Sequence, residues 1–191
     1  MRYLIGLLLG IGLIVLTFIL IFKAFSGGGD DAPKQQQQAV KLEDYATTTA
    51  VVRYTIDGPV YADQNHSRVR VTVSKDQVLF EQIAGYEGKM IQTKTYPSNS
   101  EAYATFLHAL NQQGFTRGNA EVTDDERGYC PTGRRYVYEV IDGADQIQRL
   151  WSTSCSTKQG SYTGGNASTV RLLFERQVPE WSSLTRGIKN L

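Results

Sequence analysis

The first 25 residues of this 191-residue chain constrain it most. Residues 3–22 form a predominantly apolar run without a charged side chain, bounded by Arg2 and Lys23. A helix rises about 1.5 Å per residue, so about 20 residues span a hydrocarbon core about 30 Å thick. No later segment has a comparable run. The sequence therefore predicts one transmembrane helix, a signal-anchor over residues 1–25 that tethers the rest of the chain.

A cleaved signal peptide is the alternative interpretation of the same run. Its apolar region is usually about 7–15 residues long, shorter than this one, but Ala24-Phe25-Ser26 is an acceptable cleavage site. No cysteine near this junction offers a lipid attachment site, and no acidic residue precedes Asp30, unlike in a type IV pilin. The length of the run favours the retained anchor.

Two glycines within the run, Gly6 and Gly10, are one helical turn apart. Small residues at this spacing let two membrane helices approach closely, so both are candidate helix-packing residues for a homo-oligomer. Glycine is also simply frequent in membrane helices, which is the more economical interpretation.

The composition beyond the anchor predicts a linker and one folded domain. Residues 26–45 hold a glycine run, Pro33 and four consecutive glutamines, which bury too little apolar surface to repay their ordering, so we expect a flexible linker. Residues 46–191 have the usual size of a single domain. The net charge is +1, and no stripe of lysine and arginine is present, so we expect no nucleic-acid partner.

The segment pattern predicts an α+β domain, with an antiparallel sheet of six or seven strands packed on one main helix. In residues 68–74, Val69, Val71 and Val73 alternate with polar residues, which is typical of a strand with one buried face. Similar signals predict strands at residues 49–56, 68–74, 77–83, 89–96, 135–141, 146–154 and 169–175.

The main helix is predicted over residues 99–113. Ser98 and Glu101 form a capping box, and Gly114 supplies the left-handed residue that ends a helix. His108 lies on the solvent side, so we interpret it as a surface residue. One apolar stripe runs at helical spacing through Tyr103, Phe106, Leu107 and Leu110.

Cys130 and Cys155 lie just outside the two ends of the hairpin 135–154. If residues 142–145 form its loop, paired residue numbers sum to about 287, which places Tyr138 opposite Arg149; a tighter turn at residues 142–143 gives 285. In either register the two sulfurs come close to disulfide distance. The alternative is two free thiols, but metal binding needs more ligands, and no CxxC motif is present.

A structural disulfide has a consequence for location. Disulfides persist in oxidising compartments, so we expect the domain to be extracytoplasmic, with the N-terminus cytoplasmic. Lysine and arginine counts on the two sides of the apolar run nearly balance and do not decide the orientation.

Signatures of enzymes are missing from the sequence. It contains no nucleophile elbow, phosphate-binding loop, dinucleotide fingerprint or zinc-protease motif, so we expect no catalytic residues, no cofactor and no metal. The acidic segment Asp124-Asp125-Glu126 lacks the alternating oxygen ligands of a calcium loop and is interpreted as a solvated loop.

Three residues near the cysteines are candidates for a recognition surface: Tyr129, Arg134 and Tyr162. Aromatic and arginine side chains are common anchors at protein interfaces. The alternative for an aromatic residue here is packing in the core or on the sheet. We favour packing for Tyr136, Tyr138 and Trp151, while Tyr162 fits both interpretations.

Three blocks of sequence carry a resemblance: residues 128–136 (GYCPTGRRY), 150–155 (LWSTSC) and 173–179 (LFERQVP). Together they resemble uncharacterised single-pass envelope proteins of ultrasmall, host-dependent bacteria of the Saccharibacteria type. The resemblance implies a location on the bacterial exterior and brings no activity, cofactor or site.

These observations together predict a membrane-anchored, non-catalytic binding or scaffolding domain of a cell-envelope complex. Its expected partners are other envelope or surface proteins. A surface adhesion or host-contact module is the first alternative, and an envelope enzyme with an unrecognised site is the second.

Overall fold

The computed structural model describes residues 40–156, 159–188 and 191. The expected anchor, including Gly6 and Gly10, and most of the expected linker lie outside these residues. Within them, no helix has both the length and the apolar character needed to cross a membrane.

Six antiparallel strands form one sheet, in the order β4-β3-β2-β1-β5-β6. The strands are β1 (Val51–Asp57), β2 (Ser67–Val73), β3 (Gln77–Ala84), β4 (Lys89–Pro97), β5 (Arg135–Asp142) and β6 (Asp145–Thr153). The helices are α1 (Ser100–Gln112), α2 (Ala167–Arg176) and the short α3 (Trp181–Thr185), with 3-10 turns at Leu42–Tyr45 and Asp63–Asn65. The predicted α+β class and the meander of the first four strands are confirmed.

The helices cover one face of the sheet, and the hydrophobic core lies between the two layers. The alternation in each strand decides which side chains enter it, as for Tyr54, which lies opposite Val71 on one side and Tyr138 on the other. The ring of Phe174 from α2 contacts the rings of Tyr54 and Phe106, with centroids 5.3 and 5.1 Å apart. Aromatic packing thus joins both layers.

Helix α1 begins one residue later than predicted, so the predicted capping residue is wrong. The side chain of Asn99 accepts a hydrogen bond from Ala102 N at 2.9 Å, while Ser98 N donates to Asp76 O. The predicted apolar stripe is buried throughout, and Gly114 has the expected left-handed backbone, with φ +68°. His108 is on the surface as predicted and lies 3.2 Å from Glu43 Oε1.

The predicted strand at residues 169–175 is wrong, because this segment lies within α2. The side chain of Asn166 accepts hydrogen bonds from Ser168 N and Thr169 N and so caps a helix. Val170 and Phe174, one turn apart, are both fully buried. The sheet therefore has six strands, and the helical layer holds two full helices rather than one main helix.

The pairing of β5 with β6 follows the predicted register of 287 only next to the hairpin loop. Asp142 pairs with Asp145, which sums to 287, but a bulge after Val140 changes the sum to 288 for the rest. Tyr138 consequently lies opposite Leu150 and not Arg149. This bulge turns Leu150 into the core and Arg149 onto the other face of the sheet.

The expected linker, residues 26–45, overlaps the folded domain at its last residues. Leu42 is fully buried in the core, and Thr116 Oγ1 donates to Val40 O at 3.0 Å. The domain therefore begins before residue 46, because Leu42 follows the glutamine-rich segment and the turn that holds it packs against α1.

Candidate functional site

Three connections meet at one end of the sheet, where β1, β3 and β6 end. They are the β1–β2 connection (58–66), the β3–β4 turn (85–88) and the segment 128–134 before β5. Val60 N donates to Pro131 O at 2.7 Å, and Gly85 N donates to His66 O at 2.9 Å. Backbone hydrogen bonds thus join the three connections into one unit.

The loops at this end of the sheet expose three large apolar side chains, Val60, Tyr61 and Tyr86, which we call the tip surface; Met90 and Ile91 at the start of β4 are exposed beside the β3–β4 turn. The three side chains of the tip surface are 51%, 46% and 48% exposed. Tyr86 Oη donates to Tyr61 O at 2.9 Å and accepts from Tyr61 N at 3.2 Å. The Tyr86 ring also stacks on His66, with centroids 4.2 Å apart. The tip surface is therefore held in place while it remains open to solvent.

A cluster of charges under the tip surface supports it. Asp57, the last residue of β1, lies opposite Arg68 and Arg135 on the neighbouring strands. Arg135 donates to Asp57 Oδ2 through Nε at 3.0 Å and to Gly58 O through Nη2 at 2.6 Å. His66 Nε2 lies 2.9 Å from Asp57 Oδ1. Because Arg135 and His66 are buried, removal of Asp57 leaves polar groups without their partner.

The predicted disulfide between Cys130 and Cys155 is present and anchors the same end of the sheet, with 5.7 Å between the two Cα atoms. Gly133 lies against it: a Cβ there would be 2.5 Å from Cys130 Sγ, so a larger residue does not fit. The crosslink ties the segment before β5 to the end of β6. It thereby fixes Pro131, whose carbonyl accepts from Val60.

The structure does not bring Tyr129, Arg134 and Tyr162 together into one surface. Tyr129 is partly exposed and packs on Trp151, with ring centroids 4.7 Å apart, on the sheet face away from the helices. Arg134 is exposed on the helix side, where Nη2 donates to Leu191 O. Tyr129 and Arg134 both belong to the segment 128–134 at this end of the sheet, but they lie on opposite faces of it.

The interpretation of Tyr162 as an exposed binding residue is wrong, because its side chain is only 8% exposed. Its ring stacks on Tyr138 with centroids 4.3 Å apart, and burial raises its pKa to about 12. The segment after residue 159 runs back along β6, where Tyr162 N donates to Trp151 O. This return path turns the tyrosine ring into the core. Tyr138 and Trp151 are buried as predicted, and Tyr136 is half-buried.

Sequence reasoning missed the tip surface. Val60 and Tyr61 follow the turn residues Gly58-Pro59, and Tyr86 lies between Gly85 and Gly88. Apolar residues within such turn segments have no strand or helix periodicity that would bury them. Their place in turn segments could have predicted that these side chains are exposed.

In the rest of the described chain, the acidic segment 124–126 is paired with arginines and cannot readily hold a metal ion. No group of three or more potential metal ligands is present there. Asp125 is bound by Arg127 Nη2 at 2.6 Å, a hydrogen bond that lowers its pKa to about 2. Glu126 pairs with Arg149. The acidic segment is thus a paired surface loop.

A cavity of about 230 Å³ lies between the sheet and the C-terminal helices. Glu175 and Arg171 line it and face each other at 3.4 Å. Burial raises the pKa of Glu175, while Arg171 opposes this change. Glu175 is the one carboxylate side chain among the described lining residues, and the Thr185 hydroxyl on the same lining donates to Trp181 O at 2.8 Å.

Comparisons with known proteins found no matching family, no similar curated protein and no similar solved structure. The geometry of the tip surface is therefore the basis on which a function is assigned.

Proposed function

We propose that the chain is a non-catalytic binding or scaffolding domain of a cell-envelope complex, anchored in the membrane by its N-terminal segment and located outside the cytoplasm. The tip surface carries this proposal. Val60, Tyr61 and Tyr86 are exposed on connections that hydrogen bonds, a buried charge cluster and a disulfide hold rigid.

Rigid exposed tyrosines suit protein recognition. Tyrosine is enriched among the residues that contribute most binding energy, because it buries a large area and retains a polar group. Association normally costs free energy for ordering loops and side chains. Here the Tyr61–Tyr86 hydrogen bonds and the stacking on His66 have already ordered them. A partner that covers the tip surface therefore meets a reduced entropic cost.

The first residues of the described domain do not cover the tip surface. Strand β1 begins at Val51 and ends at Asp57, beneath the tip surface. Val40, the first described residue, is held by Thr116, whose carbonyl accepts from Gln148 in the first half of β6. The first half of β6 lies toward the other end of the sheet, so Val40 is held away from the end that carries the tip surface.

The disulfide supports the extracytoplasmic location, because such crosslinks persist in oxidising compartments. The same arrangement supports the alternative of an adhesion or host-contact module. In that case the partner of the tip surface belongs to another cell rather than to the same envelope.

Photocrosslinking of the full chain in its native membrane tests the proposal. A photoreactive residue replaces Tyr61 or Tyr86 and, as matched controls at the opposite end of the sheet, Asp76 or Ala144. We expect one discrete crosslinked partner from the two tip positions and none from the controls. The same products from all four positions would contradict the proposal. The location of the partner, in the same cell or in another, separates the scaffold from the adhesion module.

A further inference from the structure

The sheet face away from the helices, which we call the open face, carries arginine, glutamate and threonine at its centre, with the buried apolar residues Val137 and Trp151 on β5 and β6. Arg53 on β1 lies opposite Thr72 and Glu139. Arg70 on β2 lies opposite Thr55 and Glu81. The two arginines are therefore diagonal neighbours near the centre of the sheet, close enough for both side chains to reach one ligand.

Neither guanidinium group is saturated. Among the described residues Arg53 donates one hydrogen bond, from Nε to Thr72 Oγ1 at 3.2 Å, and its Nη1 lies 3.8 Å from Glu139 Oε2. Arg70 makes no hydrogen bond to any residue that the structure describes, and its Nη1 lies 3.8 Å from Glu81 Oε2. A separation of 3.8 Å is longer than a hydrogen bond. Both side chains are 28% exposed, so a ligand can reach their ends.

Three other arginines project from the same face and make more hydrogen bonds. Arg68 donates through Nη2 to Gly85 O and Tyr86 O, while its Nε has no hydrogen-bond partner among the described residues. Arg135 donates to Asp57 and to Gly58 O, and Arg149 donates to Glu126 and to Asp124 O. Arginine presents five donors in a planar fork that matches a carboxylate. Among these five arginines, Arg53 and Arg70 make the fewest hydrogen bonds to residues that the structure describes.

We propose that the open face is a second binding site, in which Arg53 and Arg70 together hold a carboxylate side chain of an acidic segment in a partner protein. This site is independent of the tip surface. Paired hydrogen bonds from arginine to a carboxylate are among the strongest in proteins, so they fix both position and orientation.

The neighbouring charges favour a carboxylate over a polyanion. Glu81 and Glu139 lie beside the two arginines, and their side chains are 14% and 13% exposed. Their negative charges repel each additional negative charge that a ligand brings close. A single carboxylate gains the open donors with little repulsion, whereas a phosphate polymer meets more.

Nuclear magnetic resonance of the full chain in phosphatidylcholine nanodiscs, with isotope-labelled arginine, tests the site. The probe is a short threonine-rich peptide with blocked termini and one glutamate, and its control has glutamine in place of that glutamate. We expect the Nε–H signals of Arg53 and Arg70 to shift saturably with the glutamate peptide only. Arg176, exposed on α2, should not shift.

Substitutions measure how much each arginine contributes to binding. Arg70→Gln should lower the affinity for the glutamate peptide about 10-fold or more, because charge-assisted hydrogen bonds are lost. Arg70→Lys keeps the charge but loses the fork, so binding should be weaker than in the unchanged chain and tighter than in Arg70→Gln. The matched control Arg176→Gln should bind as the unchanged chain does. Unchanged amide spectra establish that each variant is folded.

Three results would overturn the proposal. One is unaltered peptide affinity in both Arg53→Gln and Arg70→Gln. Another is an equal response to the glutamine peptide, or no saturable shift with any probe. The third is a tighter response to inorganic polyphosphate than to the peptide, which would assign the site to an anionic polymer.

Discussion

The two faces of one sheet differ in chemistry although the same strands build them. On β1, Tyr54 points into the core and is buried, while its neighbour Arg53 points to the open face and retains free donors. Burial of apolar surface stabilises the fold by about 25 cal/mol per Å², whereas part-exposed ion pairs contribute about 0–1 kcal/mol. The covered face therefore supplies most of the stability, whereas the ion pairs of the open face contribute little to it.

The largest effect is expected from Phe174→Ala on the covered face. Phe174 is fully buried against Tyr54 and Phe106, so truncation should lower the free energy of unfolding by about 3–5 kcal/mol. Leu172→Ala on the same helix is the matched control, because Leu172 is 42% exposed, and it should cost less than about 1 kcal/mol. Denaturant titration measures both. Equal losses would contradict the helical assignment of residues 167–176, since a strand places both side chains on one face.

The disulfide should give the next largest effect. Replacing Cys130 and Cys155 by serine opens a crosslink between residues 25 apart, which should cost about 3 kcal/mol. Reducing agent should lower the melting temperature of the unchanged chain and leave that of the double variant unaltered. A melting temperature that does not respond to reduction would show that the crosslink does not stabilise the domain.

A smaller effect should appear at high pH. Burial raises the pKa of Tyr162 to about 12, above the ordinary value of about 10. A group with a raised folded-state pKa contributes stability that is lost as the pH rises through the interval between these values. Tyr162→Phe should therefore recover about 1 kcal/mol relative to the unchanged chain between pH 9 and pH 11. Parallel loss of stability in both proteins over this range would place Tyr162 in contact with solvent.

The smallest effect is expected on the open face. Arg53→Gln should change the free energy of unfolding by less than about 1 kcal/mol, because its ion pair with Glu139 is long and partly exposed. The matched change on the covered face, Tyr54→Gln, should abolish folding or cost several times more. If Arg53→Gln were equally destabilising, the open face would be structural and not free for binding.

Local patterns in the sequence predicted the parts of the fold that local interactions determine. The alternation Val69, Val71, Val73 identified the buried face of β2, and the spacing of Tyr103, Phe106, Leu107 and Leu110 identified α1. The hairpin flanked by Cys130 and Cys155 likewise predicted their crosslink. In each case the period of the pattern matched one kind of structure.

The errors arose where contacts between distant residues decide the outcome. Val170 and Phe174 fit a strand and a helix equally in a short segment, and the Asn166 cap with packing on the sheet selects the helix. The bulge after Val140 shifted the hairpin partners by one residue. The tip surface depends on hydrogen bonds between Tyr61 and Tyr86, which belong to different loops, and no local pattern encodes them.

The proposed location is tested most directly by the state of the two cysteines in intact cells that express the full chain. We expect Cys130 and Cys155 to resist alkylation until a membrane-impermeant reductant is added. Both should then react with a membrane-impermeant maleimide without lysis of the cells. If both thiols are instead found reduced and shielded from the impermeant reagent, the domain lies in the cytoplasm, and the extracytoplasmic binding role is contradicted.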